Sequence, residues 1–418
     1  MNSKHKTSLL IALLIIVSII TRSYKIHQYL FFGFEQGRDA LIIKDIIDLK
    51  DFVLVGPKTD LGGIFHGAWY YYLMAPIYFI GSGSPLFASF FLIVLNSLIP
   101  VVVFLFIKRI SNSTLWAFLG GVLTSISFEL IDYSRWLSNV SPAGLFVSLA
   151  FISLWVYESN KEEKFFPISV FFAVLAAQFQ IILLIWFLWT YLILLITKIV
   201  KFPKIQTFIY SLIAAILLFL PMIIFNFRNQ FITVQAAVTE ITESQALDFN
   251  FFESINSYVN KLVEIFERNL FPLNTILAQF LFILFIAATV WWLIKRDRFV
   301  TFLVFWVLMS LPVLLFTQMI PLTQLYVGTG IGLIVLFSFY MKQLWSNSLG
   351  KVICTLIAIV VIGNFFSNLN YLNLNQQAFY KTIQDDLNYQ DQLNLLTFIN
   401  SDAHNDNYYV KAFTIPYY

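Results

Sequence analysis

Residues 64–80 read IFHGAWYYYLMAPIYFI, and whether this run crosses a membrane decides the topology of everything after it. The run is apolar but short, and its rings are those that favour the headgroup level of a bilayer over the hydrocarbon centre. Taken as a span, it reverses every later loop and puts all the basic ones outside. Taken as an interfacial or re-entrant piece, it leaves a long hydrophilic first loop, residues 22–84, on the outer side.

The composition around it calls for lipid. Of 418 residues, 59% are hydrophobic and 12% charged, and the mean hydropathy is +0.79; an average soluble domain is about a quarter charged. A hydrocarbon core about 30 Å thick takes about 20 apolar residues per helix. Eleven spans are assigned on this basis, at 7–22, 85–107, 115–131, 142–157, 165–180, 182–199, 205–227, 271–294, 299–317, 325–341 and 351–367. The N-terminal MNSKHKTSLLIALLIIVSIITRSYK has the basic start of a signal peptide without a small-x-small cleavage site, so it is expected to stay as the first span. The fold class expected is therefore an all-α polytopic membrane protein, with a membrane domain over 1–367 and a tail over 368–418.

Charge fixes the orientation. With the N-terminus inside, the inner loops carry Lys4 and Lys6, Lys108 and Arg109, Lys161 and Lys164, then Lys198, Lys201 and Lys204. Lys295, Arg296 and Arg298 follow, then Lys342 and Lys351. Of the acids only Glu158, Glu162, Glu163 and Asp297 fall inside. This is the positive-inside pattern of a multi-pass protein of the cell membrane, N-terminus cytoplasmic and C-terminus extracytoplasmic. A net charge of +3 without a basic patch argues against nucleic acid as a partner, and the lone Cys354 excludes an intrachain disulfide.

The first outer loop is where charge accumulates. Asp39–Lys50, DALIIKDIIDLK, puts Ile42, Ile43, Ile46, Ile47 and Leu49 near one helical face and Lys44, Asp45 and Asp48 on the other. That pattern predicts an amphipathic helix on the membrane surface, with Asp39 or a neighbour near its N-terminus, where a carboxylate caps free N–H groups. If the helix extends back, Glu35 and Asp39 share a face, four residues apart. Such a pair, with Arg38 between them, suits a carboxylate base at the outer face beside a guanidinium fork for phosphate oxygens. Glu129, Asp132 and Arg135 end the third span, and Arg228 closes the seventh. Arg135 and Arg228 are expected to converge with Arg38 on a phosphate. His66 is a candidate phosphate donor or proton carrier, and Tyr71, Asn139 and Tyr326 are candidate substrate contacts. His5, His27 and His404 are scattered without zinc spacing. No cofactor is called for; a divalent cation on the loop's carboxylates is compatible with the pattern but not indicated by it.

Two further outer segments are polar: 228–270, with a helix expected at 251–268, and the tail, with a helix near 376–399 and an extended end, NYYVKAFTIPYY. No repeat of fixed period and no pair of Gly/Pro-broken helices stands out, and the spans hold few mid-membrane polar groups, which argues against a transporter.

The motifs FEQGRDALIIKDI and LVGPKTDLGGIFHGAWYYYLMAP resemble the bacterial glycosyltransferase family 39–like group. These are GT-C membrane enzymes related to protein O-mannosyltransferases and to the aminoarabinose transferase of lipid A. The group's pattern is an aromatic-Gly-aromatic, then Asp-Gln-Ala/Gly-Arg-Asp-Ala, Gly-Pro, and His-Gly-Pro-aromatic-Tyr-Tyr. YSRWLSN, AQFQIILL and FLPMIIFNFRNQF support the resemblance as far as about residue 235. It implies a GT-C bundle that moves a sugar from a polyprenyl-phosphate donor to a glycan, lipid or protein acceptor outside the cytoplasm, with inversion. The first loop acid, at the position of Glu35, serves as base or acceptor binder. Four positions depart from the group: Glu35 replaces Asp, Ala68 the usual Pro, Gln180 an aromatic-His step and Asn226 an acid. The alternative reading is a non-catalytic relative, or a transporter or polymerase of lipid-linked glycans.

Overall fold

A chain in lipid must satisfy its backbone groups within each segment, which makes the helix its default. The computed structural model describes residues 3–59, 61–244, 250–315, 322–370 and 388–403, and most of them are helical. The chain opens with α1 (Ser3–Ser23) and the single turn α2 (Ile26–Tyr29). The first loop then folds as α3 (Phe34–Ile47), a short hairpin of β1 (Val55–Lys58) and β2 (Phe65–Gly67), and α4 (Trp69–Ile80). Next come α5 (Pro85–Asn96) and α6 (Ile99–Ser111), α7 (Thr114–Ser125) and α8 (Phe128–Arg135), and α9 (Ala143–Asn160). They are followed by α10 (Phe165–Phe179), α11 (Leu183–Ile196), α12 (Ile205–Arg228), α13 (Ile232–Ser244) and α14 (Phe251–Leu270). The chain closes with α15 (Thr275–Ile294), α16 (Arg298–Val307), α17 (Thr329–Leu344), α18 (Ser348–Ser367) and α19 (Tyr389–Asp402).

Each of the eleven assigned runs contains helix, but their lengths differ. Among the described residues, five helical stretches are long and apolar enough to cross a membrane: His5–Tyr29, Pro85–Ser111, Ile205–Arg228, Thr275–Ile294 and Ser348–Ser367. A sixth appears if α7 and α8, bent by 52°, count as one. The apolar helices α10, α11, α16 and α17 are shorter. The protein is thus a helical membrane protein.

The bend between α7 and α8 has a visible support. A broken helix exposes carbonyls at its end, and α1 supplies donors to them. Arg22 Nη1 donates to Ser125 O at 3.1 Å, Arg22 Nη2 to Thr124 O at 3.2 Å, and Thr21 Oγ1 to Ser125 O at 2.9 Å. Ser127 then caps α8, accepting from the Leu130 N–H.

The first loop departs from expectation in one respect that matters. Its helix begins at Phe34, where Gln36 Oε1 accepts from the Gly33 N–H at 3.0 Å. Asp39 therefore lies mid-helix and does not cap; with Gln36, Ile43 and Ile46 it forms the buried stripe that packs on α4. Ile64–Ile80 becomes β2 and α4, with Tyr70, Tyr71, Met74 and Tyr78 in the core. The hairpin lies tight against α10: a Cβ on Gly67 would stand 1.8 Å from Gln178 Oε1, so only glycine fits. In the segment 228–270, α14 takes the expected helix and α13 is an additional one. The tail helix is Tyr389–Asp402; the earlier part of the expected helix and the NYYVKAFTIPYY end lie outside the described residues.

Contacts between loops follow the charge pattern. Arg298 Nη2 donates to Glu158 Oε1 at 2.7 Å, and the Lys201 N–H to Glu158 Oε2 at 2.9 Å. Three of the basic loops assigned to one side therefore meet at one end of the bundle.

Candidate functional site

The other end encloses a cavity of about 1340 Å³. Its lining divides by chemistry. One wall is apolar, built by Ala215, Ile216, Phe219, Met222 and Ile223 of α12, Val234, Ala237 and Val238 of α13, and Ile182, Leu184 and Ile185 at the start of α11. The rest of the lining includes a polar set. It holds Glu35, Arg38 and Asp39 from α3, Lys58 and His66 from the hairpin, Glu129 and Asp132 from α8, Arg268 from α14, Asn139 and Gln180.

Asp39 is the best-anchored group there. Arg38 approaches its Oδ1 with Nε at 2.9 Å and Nη2 at 2.8 Å, and the Tyr71 hydroxyl donates to the same oxygen at 3.0 Å. Burial raises the Asp39 pKa, while the Arg38 charge and these hydrogen bonds oppose the rise. Burial, then the Asp39 charge, likewise pushes the Tyr71 phenol up, so it stays a donor. Glu35, one turn earlier, is exposed to the cavity and meets no partner among the described residues. One carboxylate is thus held by three donors, and its neighbour makes no hydrogen bond or ion pair among the described residues.

His66 is buried and receives the Ile181 N–H on Nδ1 at 3.2 Å. Burial, then the nearby Arg38 charge, lowers its pKa to about 4. On α8, Asn269 Nδ2 donates to Glu129 Oε2 at 2.6 Å, and Arg268 pairs with Asp132 Oδ2. Glu129 Oε1 and Asp132 Oδ1 are left without partners. Asn139 is held by its Nδ2 donating to Phe179 O, and Gln180 by its Nε2 donating to Gln324 O at 3.2 Å.

The sequence-level candidates separate accordingly. Glu35, Arg38, Asp39, His66 and Asn139 come together in the cavity. Tyr71 reaches it through Asp39, and Tyr326 is fully buried outside the lining. Arg135 and Arg228 do not converge with Arg38, and helix geometry gives the reason. The lining positions of α8 are 129, 132, 133 and 136, one stripe at i, i+3, i+4, i+7. Arg135 falls off that stripe and is buried. On α12 the stripe runs through 215, 219, 222, 223 and 226, and Arg228 points to the far, exposed side. The cations that share the cavity with Arg38 are Lys58 and Arg268. Lys58 was the one basic residue in VGPKTD, and Arg268 ends the amphipathic stretch 251–268 one turn after Glu264; neither position stands out without the fold. Among the described residues no three His, Cys, Asp or Glu side chains group as a metal site.

No protein-family model matches the chain, and no curated protein matches it either.

Proposed function

We propose that the chain is a membrane glycosyltransferase that moves a sugar from a polyprenyl-phosphate donor to an extracytoplasmic glycan, lipid or protein acceptor. On this reading the bundle is of GT-C type with eleven spans, four of them thin. It sits in the cell membrane with the N-terminus inside and the cavity outside. One observation carries the reading: a single cavity is lined both by apolar side chains of α11, α12 and α13 and by carboxylates and cations. A lipid-linked sugar has the same two chemistries, an isoprenoid chain and a charged, hydroxylated head.

The roles follow from the anchoring. Glu35, exposed to the cavity and without a hydrogen bond among the described residues, acts as the base that takes the acceptor's proton. Asp39 holds Arg38, whose fork meets the donor phosphate as the bond to the anomeric carbon breaks. Lys58 adds charge to that polar set. Glu35 carries its carboxylate one methylene further than the Asp usual in the resembling group, and its position at the open side of α3 gives it room.

The transport reading finds less support. The lining comes from segments at one end of the bundle, and no residue of the basic loops contributes to it. The test is transfer from a labelled polyprenyl-phosphate sugar in membranes. Glu35→Gln is expected to lose about a hundredfold or more of the rate, and full retention removes Glu35 from the mechanism.

A further inference from the structure

We infer that His66 meets the substrate as a neutral hydrogen-bond donor of fixed tautomer, with its Nε2–H directed at an oxygen acceptor in the cavity. What enters the cavity rests on the function proposed above; the state of the ring rests on geometry. Nδ1 accepts the Ile181 N–H at 3.2 Å. Helix α11 begins two residues later, at Leu183 with Ile182 as its N-cap, so the Ile181 N–H lies ahead of the helical ladder and His66 supplies its acceptor. An imidazole that accepts on Nδ1 carries its proton on Nε2. The residue is only 8% exposed, it lines the cavity, and Nε2 meets no partner among the described residues.

Two forces keep the ring neutral. Protonation would put a second proton on Nδ1 against a backbone donor. It would also add a cation close to Arg38 on α3, with Lys58 of β1 in the same cavity; Asp39 is already engaged by Arg38, and α10 and α11 bring only the uncharged Gln178 and Gln180. With a pKa of about 4, the ring is uncharged above that pH. His66 therefore cannot serve as a general base, because its lone pair faces the backbone. It selects instead: phosphoryl and sugar oxygens accept its proton in a hydrogen bond, and ammonium groups are refused.

The test uses the full-length protein in nanodiscs with two probes, undecaprenyl phosphate and undecaprenyl phosphoryl glucose. His66→Asn offers Oδ1 to the Ile181 N–H and removes the distal donor. His66→Gln carries an amide N–H outward to the region of Nε2. The expected result is binding about tenfold weaker in His66→Asn, with recovery in His66→Gln. With the glycosylated probe, a phosphodiester that does not titrate in this range, the pH dependence of affinity between about pH 5 and 8 should be the same in the wild type and His66→Gln. Loss with both probes assigns the acceptor to a phosphoryl oxygen, and loss with the glycosylated probe alone assigns it to a sugar oxygen. Unchanged affinity for both probes in His66→Asn overturns the inference, and so does a wild-type step near the ordinary histidine pKa of 6.5 that disappears in His66→Gln. That second arm uses His66→Gln, so it decides even if His66→Asn does not fold. Neither arm requires transfer, so the outcome is independent of the Glu35→Gln assay.

Discussion

The two ends of the bundle use charge in opposite ways. At the basic-loop end, Glu158 accepts from Arg298 and from the Lys201 N–H, and Glu163 accepts from the Lys204 N–H and the Thr207 hydroxyl. Each carboxylate bridges segments far apart in sequence, and both oxygens of Glu158 are used. At the cavity end the carboxylates are gripped from one side only. Asp39 receives three donors on Oδ1, Asp132 is paired through Oδ2 and Glu129 is bound through Oε2. Glu35 and Lys58 meet nothing among the described residues. An unsatisfied buried polar atom costs about 1–3 kcal/mol; under the proposed function, the Glu129 and Asp132 oxygens left unpaired among the described residues are where stability is given up for binding. On that proposal the same residue types serve architecture at one end and recognition at the other.

The sharpest break of this contrast is Asp39→Asn. The amide keeps the shape but loses the charge that fixes the Arg38 fork, and a phosphate contact displaced by about 1 Å costs about a hundredfold in rate. Transfer is expected to fall by that factor while the purified variant still folds, since the Arg38 side chain is 31% exposed and can be hydrated. Full activity in Asp39→Asn would make the Arg38–Asp39 pair architectural, like its counterparts at the other end.

What the sequence could reveal of this contrast depended on whether the signal was local. Reading Ile64–Ile80 as something other than a span rests on its rings and on loop charge; the structure forms a twelve-residue helix there, Trp69–Ile80, with Tyr70, Tyr71 and Tyr78 in the core and not at a headgroup-facing surface. The Glu35–Asp39 pairing needed only the period of a helix. The start of that helix was misplaced because Gly33 takes the cap role through the Gln36 side chain, and a glycine followed three residues later by Gln is a weaker signal than an acidic cap. Arg135 and Arg228 were assigned by nearness to span ends, but which face of α8 or α12 looks into a cavity depends on neighbours that the sequence does not name. Lys58 and Arg268 reach the cavity through a hairpin register, Lys58 opposite Phe65, and a helix packing that are both long-range. The resemblance supplied the pole on α3, and the fold supplied the rest.

Glu158→Gln tests the other side of the comparison. The side chain is 6% exposed and holds a guanidinium and a backbone N–H, so the variant should lose about 1–2 kcal/mol of stability. Transfer per folded molecule should be unchanged. A drop in rate with normal melting would mean that the closed end is coupled to the cavity.

The smallest effect expected is that of Lys58→Gln. The ammonium is exposed and unpaired at the cavity rim, so water and salt screen most of its attraction for a phosphate. KM for the lipid-phosphate donor should rise a few-fold at low ionic strength, with kcat little changed, and the difference should fade at high salt. Arg38→Gln, at a half-buried position, should lose affinity that added salt does not equalise with the wild type. If both variants respond to salt alike, the two cations belong to one solvated surface, and the graded pole that distinguishes this end of the bundle does not exist.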